Sequence, residues 1–322
     1  MQSKISIGAA IIAKDNADTI AETLESVRPF VRQIVVVDTG SSDSTPQICT
    51  RFGAEVYFHG WTKDFSHSRN LAISYMRTPW ILSIDSDERI ESLDLHTFDE
   101  LASDDIGGLS VLIKNLLSIS DNSQYSTHRF TRIFRNSPQI RYSGTIHEQI
   151  ADSILNAGYR IADSDFSIIH SGYANTDEKK IRRNEELLVT ELQKSDNPDW
   201  TRYHLASTEF AAHNFENAEK QFRQIVDSPA LTLAQQQLSR IRLAQIALHN
   251  SDCTAVNSLL NFRGHSTEIE GFRKFILATG LILLHDFSKA SELVNAPETA
   301  SSPLVSRETL RKMQQLLATV MR

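Results

Sequence analysis

The sequence predicts an α/β fold for the first part of the chain and an all-α fold for the rest. In the first part, short apolar runs alternate with helical patterns, and the links between them are short. Such alternation is typical of right-handed crossovers that build a Rossmann-like, mostly parallel sheet with helices on both faces. Strand patterns stop before residue 176, and helical patterns fill the chain from there almost to Arg322. We therefore predict two domains, residues 1–175 and residues 176–322.

The elements of the first domain follow one another with the periodicities expected of buried strands and surface helices. Apolar runs predict parallel strands at residues 5–13, 33–38, 54–59 and 80–85. Helical patterns predict helices at residues 19–27, 42–52 and 66–76. Further strands are predicted at residues 108–118, 125–134, 146–150 and 159–170. The first two of these later strands are longer, and we expect them to form an antiparallel pair.

The second domain is predicted to consist of helical hairpins. It begins with a charged, amphipathic helix at residues 177–194. Small and aromatic residues then recur at the spacing of two packed helices, at Tyr203, Leu205, Ala206, Phe215, Ala218, Phe222, Leu243, Ala244, Leu248, Gly280, Leu281, Phe287 and Ala290. This spacing resembles tetratricopeptide-type repeats, which bury their apolar faces only by stacking, with a helix at residues 309–320 as the terminal cap. An irregular helical bundle is the alternative.

The composition is ordinary for a soluble globular protein of 322 residues, with 40% hydrophobic and 23% charged residues. A net charge of −7 argues against general nucleic-acid binding, which depends on Lys and Arg. Cys49 and Cys253 predict neither a disulfide framework nor a zinc site, as in a reducing compartment. The apolar stretch before Lys14 is too short to span a bilayer. We expect a cytoplasmic protein without a transmembrane segment; peripheral membrane association and homo-oligomer formation stay open.

Polar residues cluster where the predicted strands end, which is where open α/β sheets bind ligands. Asp85 and Asp87 close the fourth strand, and paired carboxylates there can hold a divalent cation that serves a substrate phosphate. A solvated turn is the alternative. Asp38 ends the valine-rich second strand and is a good acceptor for N–H or ribose hydroxyl groups. Arg69 opens a helix and could bind a phosphate through two hydrogen bonds, unless it is an ordinary surface arginine.

The order of these clusters resembles that of family 2 glycosyltransferases of the GT-A fold. The matching segments are residues 36–45 (VVDTGSSDST), 65–70 (FSHSRN) and 83–88 (SIDSDE). Three later segments resemble the subset of the family that carries a tetratricopeptide tail, namely residues 132–136 (RIFRN), 141–149 (RYSGTIHEQ) and 169–173 (IHSGY). Relatives more often have Lys-Asn-Glu where this chain has Lys14-Asp15-Asn16, so neither Asp15 nor Asn16 is assigned a role.

The resemblance implies a nucleotide-sugar site. Asp38 would contact the base or the ribose, and backbone around Ala13 would line the same pocket. Asp85 would face the ribose, and Arg69 the nucleotide or its phosphates.

The resemblance also implies a metal site and a catalytic base. Asp87 would bind Mn²⁺ or Mg²⁺ at the pyrophosphate, and His170 would complete the site unless it is a structural histidine. Family members invert the anomeric carbon, which requires a base on the face opposite the leaving group. Glu148 is the candidate base, with His147 as the substitute.

A structural role for Glu148 is the alternative, in which it orders its loop through Arg135 or Arg141.

The resulting prediction is an inverting, metal-dependent glycosyltransferase of the hexosyltransferase type. Its donor would be a nucleotide-diphosphate sugar, with a UDP-sugar favoured, and its acceptor a glycan, a lipid-linked glycan, a protein or a peptide. The alternative is a catalytically inactive helical-repeat adaptor that retains a nucleotide-binding domain.

Overall fold

The computed structural model describes residues 5–116, 125–171, 178–195 and 197–321. The chain folds into two compact units, Met1–Ile119 with Thr127–Asn175 and Ser120–Ser126 with Thr176–Arg322. The first unit holds a sheet covered by helices, and the second holds the long run of helices. The predicted fold class is therefore confirmed.

An eight-stranded sheet forms the centre of the first unit. Its strands are β1 (Ile7–Ala13), β2 (Gln33–Asp38), β3 (Glu55–Phe58), β4 (Trp80–Ser83), β5 (Glu88–Ser92), β6 (Ile106–Leu116), β7 (Tyr125–Arg135) and β8 (Arg160–His170). Their order across the sheet is β3-β2-β1-β4-β7-β6-β8-β5. The first four in this order are parallel, as the crossover rule predicts. Beyond them the sheet is mixed, because β7 runs antiparallel to β4 while β8 is parallel to β6 and antiparallel to β5.

Both faces of the parallel part of the sheet are buried. The helices of this unit are α1 (Ile20–Val27), α2 (Thr45–Arg51), α3 (Phe65–Ser74), α4 (Leu95–Leu101) and α5 (Ala151–Asn156). Val36 belongs to one apolar cluster, whereas its neighbours Val35 and Val37 belong to another. Successive side chains of a strand point to opposite faces, so the two clusters lie on the two sides of the sheet. This explains why the strands appear as continuous apolar runs in the sequence.

The predicted strand at residues 146–150 is wrong. The structure has only an isolated bridge there, between Ser143 and Gln149. Ile146, Glu148 and Ile150 are indeed buried in alternation, which is the pattern that suggested a strand. The backbone turns at His147, however, where φ is 53°, a left-handed conformation that a strand cannot contain.

Three elements of the first unit were not predicted, namely β5, α4 and α5. β5 has no apolar run because it lies at the edge of the sheet and is half-exposed toward its end. Two predicted segments extend past the described residues: Leu117 and Ser118 at the end of a strand, and Asp177 at the start of a helix. The two predicted long strands, β6 and β7, are neighbours in the sheet.

The second unit is built from consecutive helices that pack in pairs. They are α6 (Glu178–Leu192), α7 (Pro198–Ala211), α8 (Phe215–Ile225), α9 (Leu233–His249), α10 (Cys253–Leu259), α11 (Thr267–Leu283), α12 (Phe287–Val294), α13 (Pro297–Ser301) and α14 (Arg307–Val320). Helix α9 contributes Leu243 to the apolar cluster shared with α7 and α8, and Ala244 to the cluster shared with α10 to α12. Leu317 of α14 joins the latter cluster. No helix within the described ranges has both the length and the apolar character needed to cross a bilayer.

Candidate active site

The carboxyl ends of β1, β2 and β4 lie at one edge of the sheet and are joined by polar contacts. Ala13 is in register with Asp38 across the parallel pair β1–β2. Asn16, which follows β1, accepts a hydrogen bond from the Ser86 hydroxyl at 2.8 Å, and its backbone N–H donates to the Thr45 hydroxyl at 2.8 Å. Asn16 therefore connects the loop after β1 to the turn after β4 and to the first residue of α2, a structural role that the sequence did not reveal.

Asp38 presents an unsatisfied oxygen at this edge. Its Oδ1 accepts hydrogen bonds from the backbone N–H groups of Gly40 at 2.9 Å and Ser41 at 2.8 Å. Gly40 permits this turn because its φ is 109°. Oδ2 is buried and has no hydrogen-bond partner among the described residues, and the residue as a whole is 1% exposed. An unpaired buried acceptor costs about 1–3 kcal/mol, so a ligand N–H or hydroxyl group would stabilise it.

The loop after β1 is fixed by its own backbone and by one carboxylate. The carbonyl of Ala13 accepts from the backbone N–H of Thr39 at 2.9 Å. Asp15 has a φ of 52°, and its Oδ1 accepts from the N–H of Ser42 at 2.7 Å and from its hydroxyl at 3.0 Å. These contacts hold the loops after β1 and β2 together on the side of the sheet edge where Asp38 lies.

Arg69 connects two of the predicted site residues. Its Nη2 lies 2.6 Å from Oδ1 of Asp85, and its Nε donates to Oε1 of Glu148 in a short hydrogen bond. Its Nη1 is 3.3 Å from the Ser83 hydroxyl. Arg69 is 8% exposed, so it is not the ordinary surface arginine that was the alternative. The helix that carries it, α3, begins after Asp64, whose carboxylate caps the first turn.

Glu148 does not make the contacts that a purely structural role through Arg135 or Arg141 would require. Glu148 is buried against Arg69, whereas Arg135 and Arg141 donate to backbone carbonyl groups. The alternative in which Glu148 orders its loop through Arg135 or Arg141 is therefore wrong. Glu148 and Asp85 both bind Arg69, so Glu148 lies beside the carboxylate that is predicted to face the ribose.

A second buried arginine holds Asp85 from the other side. Nη2 of Arg132 lies 2.7 Å from Oε1 of Glu88 and 3.3 Å from Oδ2 of Asp85. Burial acts to raise the pKa of Asp85, but the positive charges of Arg69 and Arg132 outweigh it and lower that pKa, so Asp85 is ionised at neutral pH. Burial raises the pKa of Glu88, although Arg132 opposes the shift. Sequence reasoning offered no chemical reason to select Glu88 or Arg132.

We expect Arg132→Met to destabilise the protein by about 3–5 kcal/mol, because it leaves Glu88, which is 1% exposed, as an uncompensated buried charge. Urea unfolding of the variant would measure this change in the free energy of unfolding. The deficit should shrink as the pH is lowered, because the raised pKa of Glu88 lets it take up a proton and lose its charge. Arg89→Met, which removes an exposed pair with Glu22, is the control and should have a several-fold smaller effect. Equal losses in the two variants would contradict the expectation.

Asp87 and His170 form a separate pair at the start of β5 and the end of β8. Oδ1 of Asp87 is 3.4 Å from Nε2 of His170, and their side chains are 15% and 19% exposed. Burial acts to lower the pKa of His170, but the hydrogen bond and the charge of Asp87, with Glu88 and Asp85 nearby, outweigh it and raise that pKa. Asp85 and Asp87 are thus held in a charged network rather than in a solvated turn.

The Asp87–His170 pair fits a divalent cation that is completed by a ligand. One carboxylate oxygen and one imidazole nitrogen at this separation are suited to neighbouring positions around one ion. Within the described ranges, no group of three or more His, Cys, Asp or Glu side chains could hold a metal ion. The protein would therefore supply two ligands, and phosphate oxygens would supply others, as is usual for Mg²⁺ and similar ions at phosphate sites.

His147 lies beside Glu148 in the loop that replaces the predicted strand. Burial lowers its pKa to about 4, so its imidazole is neutral at pH 7. Its left-handed backbone conformation turns the chain between Ile146 and Glu148.

The described contacts thus bring Arg69, Asp85 and Glu148 together, pair Asp87 with His170, and put Ala13 next to Asp38.

Comparisons with known proteins agree with the predicted family. Residues 9–105 match the model of the family described as Glycosyl transferase family 2. This segment is a family 2 glycosyltransferase domain. It contains most of β1, all of β2 to β5, and the predicted site residues from Ala13 to Asp87.

Relatives of this family 2 domain include a TPR repeat-containing protein of Synechococcus elongatus, 36% identical over 46% of this chain and 36% of its own. The glycosyltransferase SunS of Bacillus subtilis is 26% identical over 60% of this chain and 47% of its own. The chain thus spans less than half the length of these two curated relatives. Among solved structures, Staphylococcus aureus TarS aligns with a TM-score of 0.40 and 16% identity, over 87% of this chain and 54% of its own.

Proposed function

We propose that this chain is an inverting, metal-dependent glycosyltransferase that uses a nucleotide-diphosphate sugar. The observation that carries the proposal is that a family 2 domain places Asp38, with an unsatisfied buried oxygen, at the same sheet edge as the Arg69–Asp85 pair. An adaptor that had lost activity would have no need to keep the buried Oδ2 of Asp38 without a hydrogen-bond partner, which costs stability until a ligand donates to it.

In the proposed donor complex, Oδ2 of Asp38 accepts a hydrogen bond from the base or the ribose. The N3–H group of a uracil ring is one such donor, so UDP fits this acceptor, but the other bases also carry N–H groups and the preference for UDP stays a prediction from the sequence. Backbone at Ala13 lines the pocket beside Asp38, because the two residues are in register. Asp85, held between two arginines, faces the ribose, and Arg69 contributes positive charge toward the phosphates.

Asp87 and His170 would hold the cation, with Mn²⁺ preferred over Mg²⁺ because one of the two ligands is an imidazole nitrogen. When bound, such an ion neutralises the charge that develops on the departing diphosphate. Glu148 would accept the proton of the acceptor hydroxyl as its oxygen bonds to the anomeric carbon and the bond to the diphosphate breaks. Attack from the face opposite the leaving group inverts the anomeric configuration.

The acceptor in this proposal is a glycan, a lipid-linked glycan, a protein or a peptide. Stacked helical hairpins often present a concave surface to peptides, and this favours a role for the second unit in acceptor binding. A cytoplasmic location, peripheral membrane association and homo-oligomer formation stay predictions from the sequence.

A thermal-shift screen of nucleotide-diphosphate sugars with Mn²⁺ tests the donor part of the proposal. At a hundred times its dissociation constant, the true donor should stabilise the native state by about 2.7 kcal/mol, seen as a raised Tm. The matching nucleoside monophosphates and samples with EDTA are the controls, and both should give smaller shifts. Release of the nucleoside diphosphate, followed in parallel, separates an enzyme from an adaptor that binds without turnover. If none of the sugar nucleotides raises the Tm, the proposed function is wrong.

A further inference from the structure

Three polar side chains from adjacent strands form a row that ends at the proposed metal site. Asn115 of β6 is in register with His170 of β8, and β7 lies on the other side of β6. Oδ1 of Asn115 is 2.9 Å from Nδ1 of His170. Nδ2 of the same amide is 3.1 Å from Nδ1 of His128 on β7. Asn115 itself is 8% exposed, so both halves of a buried amide are engaged.

The chemistry of the amide decides where the protons of the two histidines lie. An amide oxygen only accepts hydrogen bonds, so Nδ1 of His170 must carry a proton and donate it to Asn115. An amide NH₂ group only donates, so Nδ1 of His128 must be the acceptor. His170 therefore keeps its proton on Nδ1 and turns Nε2 toward Oδ1 of Asp87. In the metal-free protein Nε2 donates to the Asp87 carboxylate when the ring is protonated, and it is the ring nitrogen at which a cation would replace that proton.

We propose that Asn115 is a positioning residue of the metal site, which fixes the tautomer and the ring orientation of His170. This inference rests on the proposed function, because it assumes that a cation binds between Asp87 and His170. His128 holds the amide in the required orientation by accepting from its NH₂ group. With the amide reversed, NH₂ would face Nδ1 of His170, and the proton of that ring would move to Nε2, where it blocks coordination. Partners of this kind typically change metal affinity 10–100-fold when they are removed.

Two substitutions of Asn115 separate this role from simple packing. Asn115→Leu has similar size but accepts no hydrogen bond, so Nδ1 of His170 loses its acceptor. Asn115→Asp keeps an acceptor toward His170 and places a carboxylate behind the ligand histidine, an arrangement common in metal sites. Asn136→Leu is the matched control. The Asn136 amide donates to the backbone carbonyl groups of Met76 and Thr78, so this substitution removes a hydrogen-bonded amide from the same unit without changing a partner of His170.

Mn²⁺ affinity, measured with UDP present by the electron paramagnetic resonance signal of free Mn²⁺, is the first readout. We expect Asn115→Leu to weaken binding about 10–100-fold, while Asn115→Asp and Asn136→Leu stay within a few-fold of the wild type. Unchanged affinity in Asn115→Leu, or an equal loss in Asn115→Asp, would overturn the inference. If Asp87→Ala binds Mn²⁺ like the wild type, it is the proposed metal site that fails.

The ¹⁵N NMR spectrum of histidine-labelled, metal-free protein is the second readout, and it needs no bound cation. At a pH high enough to leave the His170 ring neutral, Nδ1 should carry the proton in the wild type and in Asn115→Asp, whereas Asn115→Leu should show a mixture of tautomers. A wild-type Nδ1 without a proton would overturn the inference even if the metal site itself is right.

Discussion

Asp87→Ala is expected to lower kcat/KM for sugar transfer by about 10³-fold, which corresponds to the loss of several kcal/mol of transition-state stabilisation. The reason is that Asp87 supplies the carboxylate of the Asp87–His170 pair, whose Oδ1 and Nε2 atoms lie 3.4 Å apart. Without it, the cation beside the diphosphate would lose its anionic ligand. Release of the nucleoside diphosphate under saturating Mn²⁺ measures the effect, and Mn²⁺ titration shows whether binding falls with it.

The control for this substitution is Asp163→Ala in the same unit. Asp163 lies on β8, its side chain is 78% exposed, and its ion pair with Arg129 is long, at 3.6 Å. Its removal should leave both turnover and Mn²⁺ affinity unchanged. A variant lacking Asp87 that transfers sugar as fast as the Asp163 control would show that the metal site lies elsewhere.

The parallel part of the sheet was predictable because each strand is buried on both faces and therefore appears as an apolar run. The same run fixes where each strand ends, and so it located Asp38 and Asp85 at one edge. β5 was missed for the opposite reason, since an edge strand that is half-exposed toward its end has no such run. The segment at residues 146–150 was misassigned because alternating burial also occurs in a turn, here one with a left-handed residue at His147.

The candidate site was predictable only in part, because many of its contacts join distant residues. Glu148 follows Arg69 by 79 positions, and nothing in the spacing of the sequence says that they meet. The contact between Asp85 and Arg132 could not be predicted either, because Arg132 is 47 positions away, on β7, which runs antiparallel to β4. Asn115 carried no local signal at all, since its importance comes from strand register with His170. The family resemblance predicted which residues belong to the site, but the pairing and register of the strands determine which of these residues are in contact.

Glu148→Gln is expected to lower kcat by about 10²–10⁴-fold, the usual contribution of a positioned general base. Glutamine has the same shape and can still accept the hydrogen bond from Nε of Arg69 through its amide oxygen. The nucleotide site should therefore stay intact, with donor and Mn²⁺ affinities within a few-fold of the wild type. Single-turnover transfer and donor binding, measured on the same preparation, separate loss of the base from loss of the site.

His147→Asn is the companion variant that decides between the two candidate bases. Asparagine tolerates the left-handed conformation that His147 adopts, with φ at 53°, so the loop should keep its path. Because burial lowers the pKa of His147 to about 4, the histidine is neutral at pH 7 and could itself accept a proton. If Glu148 is the base, His147→Asn should retain transfer within a few-fold. A loss as large as that of Glu148→Gln, with donor affinity unchanged, would instead assign the base to His147. The neutral imidazole would then be the group that takes the proton from the hydroxyl of the sugar acceptor.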